Sequence, residues 1–387
     1  MNSFADELSR RLDALREQNL FRERRRVDSP QGTRIKIGGK TFLNFSSNDY
    51  LGLANHPALK AAASQAVEKF GAGAGASRLI CGSLAPFHEL EETLAAFKKT
   101  EAALTFSTGY AAALGTITAL CNKDSIIILD KLVHACIVDA AKLSGAKLRV
   151  FAHNDLEDLE AKLNWAANQK KRALIITESI FSMDGDTAPL REIVALKEKY
   201  GAWLMVDEAH ATGILGQNGR GLADELGVSE KIEIQMGTLG KALGASGGYI
   251  CGTRALIDLL INGARSFIFS TAPVPAAAAA AKAGIEIAQS AEGEQLRRQL
   301  RQRIGQFKSE IKNQDSKILT AIIPLILGDE VKAITAAQRL REQNIFVPAI
   351  RFPTVARGAA RLRVTLTAAH TAEDVSELCR ALKTLDR

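Results

Sequence analysis

One lysine lies in an unusual neighbourhood and is the first candidate for chemistry. Lys241 belongs to MGTLGKALGASGGYI (236–250), where most of its neighbours are small. A lysine amine becomes a nucleophile towards carbonyl groups when a shaped, partly desolvated site holds it. Thr238 and the flanking glycines offer a hydroxyl and backbone N–H groups that suit a phosphate. On these residues alone, a surface lysine in a glycine-rich loop explains the stretch equally well.

A carbonyl compound that carries a phosphate is pyridoxal 5′-phosphate (PLP), and other segments supply groups that PLP needs. Asp207 follows the apolar run WLMV (203–206). A carboxylate against the pyridine nitrogen keeps the ring protonated, which makes it a stronger electron sink. His210 could hydrogen-bond to the phenolic oxygen. The structural alternatives are a turn aspartate and a core histidine.

Two further candidates follow apolar runs in the same way. His134 comes after the run 125–129, and its flat imidazole could stack on a cofactor ring. Gly109, in STGYAAALG (107–115), opens a helix whose N–H groups could hold a phosphate. Each signal is weak alone, and their joint placement after successive strands favours a PLP site.

The elements that must position these residues form a mainly parallel α/β sheet. Helical patterns such as 156–169 and 190–201 separate short apolar runs, which indicates βαβ units. In such sheets ligands bind at the carboxyl ends of the strands. The predicted strands are residues 102–106, 125–129, 148–152, 173–179, 203–209, 232–237 and 247–252.

The pattern changes after about residue 290, which predicts a second domain. Charged helices alternate with the apolar runs 321–327, 346–350 and 360–367, as in a small α+β fold. An amphipathic helix from Phe4, followed by short strands, is expected to pack with it. The predicted divisions are an N-terminal segment 1–50, a large PLP-binding domain 51–288 and a small α+β domain 289–387.

Composition narrows the class of protein. The chain has 387 residues, a net charge of +7 and 5% aromatic residues, so an aromatic and basic nucleic-acid platform is not expected. FRERRR (21–26) is interpreted as a solvated helix end. The five cysteines have no CxxC spacing and predict buried thiols in the cytoplasm, with no metal site. No apolar run approaches the roughly 20 residues of a membrane span, and the N-terminus does not resemble a signal peptide.

Two motifs point elsewhere and are rejected on context. GASGG (244–248) matches the nucleophile elbow of serine hydrolases around Ser246, but the residues after it predict a strand where the elbow needs a helix. GAGAGAS (71–77) lacks the spacing of a dinucleotide loop and is interpreted as a flexible loop near the substrate. A basic nucleic-acid-binding protein stays a remote alternative.

Longer motifs carry a family resemblance over essentially the whole chain. NFSSNDYLGL, TESIFSMDGDTAPL, LMVDEAHATG, GTLGKALG and IRFPTVARGAARLRVTLTAAHT resemble the α-oxoamine synthases. The resemblance implies fold type I, PLP, and the joining of an amino acid to an acyl thioester with loss of CO2. It also implies a homodimer with shared active sites.

Within that family, three segments narrow the substrates. SMDGDTAPL, STAPVP and AIRFPT are most similar to the biotin-pathway member, which condenses L-alanine with pimeloyl-CoA or pimeloyl-acyl carrier protein. The alternatives that keep the fold are a glycine C-acetyltransferase, which uses glycine and acetyl-CoA, or another α-oxoamine synthase.

The resemblance also implies roles for individual residues. Lys241 would bind PLP covalently and move the Cα proton of the amino acid, and Asp207 would pair with the pyridine nitrogen. It implies that His210 and Ser182 lie near the phenolic oxygen of the cofactor and that His134 stacks on its ring. Gly109 and Tyr110 would lie nearby, and Thr238 would contact the phosphate. Ser270 and Thr271 would contact a phosphate across the dimer interface. His134 would also border the substrate. The other implied substrate residues are Arg22, Asn48, Arg351 and Thr354, with Asn48 and Arg351 taking a substrate carboxylate.

Overall fold

The computed structural model describes residues 3–311 and 320–385. Its α-helices are α1 (Phe4–Glu17), α2 (Pro57–Phe70), α3 (Ala85–Lys98), α4 (Gly109–Leu120), α5 (Ala135–Ser144), α6 (Leu156–Asn168), α7 (Leu190–Tyr200), α8 (Leu222–Glu225), α9 (Arg254–Gly263), α10 (Arg265–Ile268), α11 (Pro275–Gln289), α12 (Ala291–Ile311), α13 (Glu330–Glu342) and α14 (Ala372–Lys383). Its strands are β1 (Arg34–Ile37), β2 (Lys40–Asn44), β3 (Ala102–Phe106), β4 (Ile126–Asp130), β5 (Lys147–Phe151), β6 (Ala173–Glu178), β7 (Trp203–Asp207), β8 (Ile234–Thr238), β9 (Gly248–Gly252), β10 (Ile322–Gly328), β11 (Ile345–Phe346), β12 (Ala349–Ile350) and β13 (Ala360–Thr365).

The chain forms two compact units. The first, called the terminal unit, comprises residues 1–48, 183–185 and 300–387. The second, called the sheet unit, comprises residues 49–182 and 186–299. The domain boundaries expected after residues 50 and 288 stay a prediction.

The sheet unit is built on a seven-stranded sheet in the order β3-β9-β8-β7-β6-β4-β5. From β8 to β5 all neighbouring strands are parallel, and β9 is antiparallel to both β8 and β3. Strands β3, β4, β6 and β9 are buried along their whole length, as expected for a sheet covered by helices. The predicted α/β architecture is confirmed, with each of the seven predicted strands present within two residues of its expected ends.

Small residues let the helices approach the sheet closely. Ala112 and Ala113 of α4 and Ala140 and Ala141 of α5 are fully buried against apolar side chains of the central strands. This packing fixes the N-terminal ends of α4 and α5 beside the carboxyl ends of the strands that precede them.

The terminal unit contains two small sheets, β1-β2-β11 and β10-β13-β12. β2 pairs in parallel with β11, so residues near the N-terminus share a sheet with residues near the C-terminus. The apolar run 346–350 is divided between the two sheets, because β11 ends at Phe346 and β12 begins at Ala349, after Val347 and Pro348. Proline has no N–H to donate to a ladder.

Two further expectations need correction. Helix α1 ends at Glu17, so FRERRR (21–26) is an irregular segment beyond the helix and not its end. Of the five free cysteines four are buried, whereas Cys81 is exposed, because it lies in the irregular segment before α3. Among the described residues no helix combines the length and the apolar character that a bilayer crossing requires.

Candidate active site

The ends of two neighbouring parallel strands bring acidic side chains to one edge of the sheet. Glu178, the last residue of β6, pairs in register with Asp207, the last residue of β7, and Asp207 pairs with Met236 of β8. Side chains of residues paired across neighbouring strands lie on the same face. The two carboxyl groups are therefore close neighbours, and both are buried.

Lys241 lies in the loop between β8 and β9, and this loop packs too closely for large side chains. Gly244 has φ +69°, and a Cβ on it would lie 2.6 Å from the carbonyl carbon of Leu53. On the other side, a Cβ on Gly213 would lie 2.7 Å from the Cβ of Ala242. The small neighbours of the lysine are thus required by packing, and the half-buried amine is held by a tightly fixed backbone.

A chain of hydrogen bonds leads from the lysine into the core. The Nζ of Lys241 is 2.6 Å from Nε2 of His210, and Nδ1 of His210 is 2.6 Å from the hydroxyl of Tyr50. His210 is 4% exposed and Tyr50 is fully buried. With Lys241 protonated, its ammonium donates to Nε2 and the N–H at Nδ1 donates to the phenolic oxygen.

Burial sets the charges of the two carboxyl groups. Desolvation raises the pKa of Asp207, opposed by the charge of Lys241 and by a hydrogen bond from the N–H of Ala209 at 2.9 Å. Desolvation, with repulsion from Asp207, raises the pKa of Glu178 well above its ordinary value. Repulsion between the two neighbouring buried carboxyls disfavours ionisation of both, and Lys241 and the N–H of Ala209 favour Asp207 as the one that carries the charge.

His134 begins helix α5 beside this pair. Its backbone N–H donates to Oε1 of Glu178 at 2.5 Å, and its Nδ1 accepts from the N–H of Cys136 at 3.2 Å. Burial lowers the pKa of His134 and outweighs the opposing charge of Asp207, and the charge of Lys241 adds to the lowering. The imidazole is therefore neutral at pH 7, and its Nδ1 is fixed by the turn that it caps.

Gly109 and Thr238 are brought together by strand β9. Thr238 pairs in register with Gly248, and a Cβ on Gly248 would lie 2.6 Å from the Cα of Gly109. Gly109 is the first residue of α4, which Thr108 caps by accepting from the N–H of Ala111 at 3.0 Å. The hydroxyl of Thr238 donates to the carbonyl of Gly247 at 2.9 Å. The result is a helix N-terminus and a loop of backbone N–H groups side by side.

The remaining predicted residues of the sheet unit lie in exposed or half-buried segments. The hydroxyl of Tyr110 donates to Asp139 at 2.7 Å. Ser182 is half-buried, and Ser270 and Thr271 follow α10, where Thr271 forms a bridge with Ser77. Lys241, His210 and Asp207 are called here the lysine cluster. Among the described residues, neither Ser270 nor Thr271 forms a hydrogen bond to this cluster.

A charged histidine fixes the segment that follows Ser182. His153 binds Asp130 through Nδ1 at 3.0 Å and Asp186 through Nε2 at 2.8 Å. Although burial disfavours a charged ring, these two hydrogen bonds and the two negative charges raise the pKa of His153 to about 10. The end of β4 is thereby tied to the chain beyond the serine.

The predicted substrate residues Arg22, Asn48, Arg351 and Thr354 belong to the terminal unit. Arg22 donates to the carbonyl of Phe352 at 3.0 Å, and Arg351 donates to the carbonyls of Asn19 and Phe21. Asn48 accepts from Arg363 at 3.1 Å, and the N–H of Thr354 donates to the carbonyl of Arg351 at 3.0 Å.

Tyr50 and Glu178 are site residues that the sequence did not single out. Glu178 lies one residue before the end of the predicted strand 173–179, so its position was a usable signal. Its partner Asp207 drew attention because His210 and the lysine follow it in the sequence. Tyr50 follows no strand, and its contact with His210 spans 160 residues of sequence. Only the folded chain shows that contact.

The chemistry of these side chains fits PLP. The site offers a primary amine on a fixed loop and, at a neighbouring strand end, a buried carboxylate. Within residues 3–311 and 320–385 the only hydrogen bond to that carboxylate comes from Ala209, and no cation forms an ion pair with it. A buried charge without a cation favours a ligand that brings one, such as a protonated pyridine nitrogen.

Comparisons with known proteins show the family to which the chain belongs. The family model for aminotransferase class I and II matches residues 40–382. The 8-amino-7-oxononanoate synthase of Geobacter sulfurreducens is 47% identical over 97% of this chain and 96% of its own length. A serine palmitoyltransferase from S. paucimobilis, solved with bound PLP and myriocin, superposes with a TM-score of 0.93 at 28% identity over 100% of this chain and 99% of its own. The solved 8-amino-7-oxononanoate synthase of Francisella tularensis superposes with a TM-score of 0.76 at 31% identity. That match covers 89% of this chain and 96% of the Francisella chain.

Proposed function

The chain belongs to the class I and II aminotransferase family and, within it, to the 8-amino-7-oxononanoate synthases, and from that membership we propose its reaction. It condenses L-alanine with a pimeloyl thioester to give 8-amino-7-oxononanoate, CO2 and the free thiol carrier, a step of biotin synthesis. The observation that carries the proposal is the Lys241 amine within 2.6 Å of His210, beside the buried Asp207.

Each residue of the cluster has a defined task. PLP, when bound, supplies an aldehyde for covalent attachment of amines and an electron sink for the charge left on the substrate Cα. Lys241 would be the amine that holds the cofactor and the base that takes the Cα proton of alanine. The negative charge of Asp207 would keep the pyridine nitrogen protonated.

His210 and Tyr50 control the position and the proton of the lysine. A hydrogen-bonded imidazole at 2.6 Å keeps Nζ in one place while the amine changes between charged and neutral forms. Tyr50 fixes the other nitrogen of the ring and so determines which nitrogen accepts from Lys241. The neutral His134 offers a flat surface for the cofactor ring, and Gly109 with Thr238 would hold its phosphate.

The substrate residues are proposed in the same way. Asn48 and Arg351 would take a substrate carboxylate, and Arg22 and Thr354 would complete the contacts. Arg351 is suited to this task because its guanidinium is anchored by backbone carbonyls, which fix its direction without neutralising its charge.

A homodimer with shared active sites is part of the proposal. Leu79 and Ile80, with Phe269 and Val274, expose large apolar side chains on two segments that the bridge between Ser77 and Thr271 joins. An exposed apolar surface of this kind favours a protein interface. Ser270 and Thr271 would then contact the cofactor phosphate of the partner. A cytoplasmic location is also proposed, since the five cysteines are free thiols.

The first experiment measures thiol release by the purified, PLP-loaded protein. We expect CoA release from pimeloyl-CoA that depends on L-alanine and exceeds the release with glycine and acetyl-CoA. A preference for glycine and acetyl-CoA would contradict the substrate assignment and leave the cofactor chemistry in place. No release with either pair, and none from pimeloyl-acyl carrier protein, would contradict the proposed function.

Replacing the lysine should have the largest effect on the reaction. Lys241→Ala is expected to lower kcat by at least about 10³-fold, because both the attachment point and the base are lost. The loss of a borohydride-trappable adduct with PLP, seen by mass spectrometry, checks attachment independently of activity. Lys60→Ala, an exposed lysine of α2, is the control and should keep both properties. An adduct that persists in Lys241→Ala would rule out the assignment.

A further inference from the structure

The terminal unit contains a cavity of about 540 Å3 lined by five arginines, Arg16, Arg22, Arg25, Arg341 and Arg351, and called here the arginine cavity. They come from α1, from the irregular segment 21–26, from α13 and from the chain after β12. Its volume lies in the range of small-molecule sites.

Four of these arginines lack an ion-pair partner among the described residues, although the charges of Glu330 and Glu342 act on Arg351 and Arg341 from a greater distance. Arg16 pairs with Asp13 at 2.7 Å and lies over the ring of Phe21. In the part of the chain that the structure describes, Arg22, Arg25, Arg341 and Arg351 form no ion pair with a carboxylate. Among the described residues that line the cavity, Glu23 is the one acidic side chain.

The four charges form two pairs. Burial lowers the pKa of Arg351, and the charge of Arg22 lowers it further. Burial and the charge of Arg25 act in the same way on the pKa of Arg341. Holding like charges together costs free energy, which an anion bound between them would recover.

One pair of arginines already has a proposed role, and the other pair does not. Arg22 and Arg351 donate hydrogen bonds to backbone carbonyls, and both are proposed above as substrate-binding residues. Arg25 and Arg341 have no such role, although they line the same cavity. Arg25 is exposed and Arg341 is half-buried, so a ligand bound between them would stay partly in contact with water. This partial exposure suits a phosphate group, because phosphates are strongly hydrated. Phe346 and Pro348 add apolar surface beside them.

We propose that Arg25 and Arg341 bind the phosphate groups of the CoA part of the acyl donor, in the same cavity as the substrate-binding arginines. This inference rests on the proposed function, because it takes the acyl donor from it. Guanidinium groups suit phosphates, since their planar donors match two phosphate oxygens at once. Several clustered cations also match a polyanion better than the single terminal carboxylate of a pimeloyl chain.

The test uses the full-length, PLP-loaded protein with Arg25→Gln and Arg341→Gln combined. Arg24→Gln with Arg339→Gln is the matched control, because it removes the same charge from exposed neighbours in the same two segments that do not line the cavity. The probe is adenosine 3′,5′-bisphosphate, with binding measured by calorimetry. We expect about tenfold weaker binding in the cavity variant and near wild-type binding in the control. Equal binding in wild type and cavity variant, or equal loss in both variants, would overturn the proposal.

A second measurement separates the phosphates from the acyl chain. The ratio of kcat/KM for pimeloyl-CoA to that for pimeloyl-pantetheine, which lacks phosphates, should fall about tenfold in the cavity variant and stay constant in the control. A fall in kcat/KM of equal size for both donors would assign the arginines to the acyl chain and overturn the proposal. Absence of turnover in the wild type would contradict the proposed function, and the calorimetry would still test the cavity.

Discussion

The lysine cluster of the sheet unit and the arginine cavity of the terminal unit place charge in opposite ways. In the cluster, Lys241, His210 and Asp207 are fixed by strand ends, a packed loop and internal hydrogen bonds. In the cavity, Arg25 and Arg341 project from an irregular segment and a helix, without carboxylate partners among the described residues. Parallel strand ends thus provide the exact geometry that proton transfer needs. Irregular segments provide net charge, which is sufficient to bind an anion.

The largest effect in this comparison should come from the charge of Asp207. Asp207→Asn removes the negative charge but keeps the shape, and we expect roughly a 10²- to 10³-fold loss of kcat. Glu178→Gln is the matched change, because burial and the charge of Asp207 raise the pKa of Glu178, so the loss of its ionisable group should cost much less. Steady-state kinetics of both variants checks this. Equal losses would show that the charge is shared between the two carboxyl groups.

The next effect tests the tight packing of the lysine loop. Gly244→Ala forces a Cβ against Leu53 at a positive φ, so the free energy of unfolding should fall by at least about 2 kcal/mol. Gly73→Ala, in an exposed segment with nothing within 4 Å of the new Cβ, is the control. Urea unfolding measures both. A Gly244→Ala protein as stable as the control would mean that the loop is less fixed than its contacts indicate.

The smallest effect concerns a cation that, unlike the cavity arginines, has internal partners. His153 has a folded-state pKa of about 10, above the roughly 6.5 of an unfolded histidine. Its contribution to stability is therefore complete below about pH 6.5 and disappears as the pH rises through 10. The stability difference between wild type and His153→Gln should shrink from pH 7 to pH 10. A difference that stays constant would show an uncharged ring.

The sequence predicted the elements of the sheet unit because its signals are local. Apolar runs and helical periods determined the strands, and the rule for parallel sheets placed Asp207, His210 and Lys241 at one edge. The contact between Tyr50 and His210 could not be predicted, because it depends on how a loop near the N-terminus folds over the sheet. The arginine cavity was missed for a similar reason. FRERRR has no period of its own, and its neighbour Arg341 is more than 300 residues away in the chain.

The position of β3 in the sheet has a consequence for synthesis on the ribosome. β3 pairs with β9 alone, so its ladder stays open until Gly248–Gly252 has been translated. At ordinary translation speeds that interval lasts on the order of ten seconds. During this time β3, a largely apolar strand with no partner yet made, is available to other nascent chains or to chaperones. The antiparallel strand that completes the sheet thus also ends the stage at which the nascent chain is most prone to aggregate.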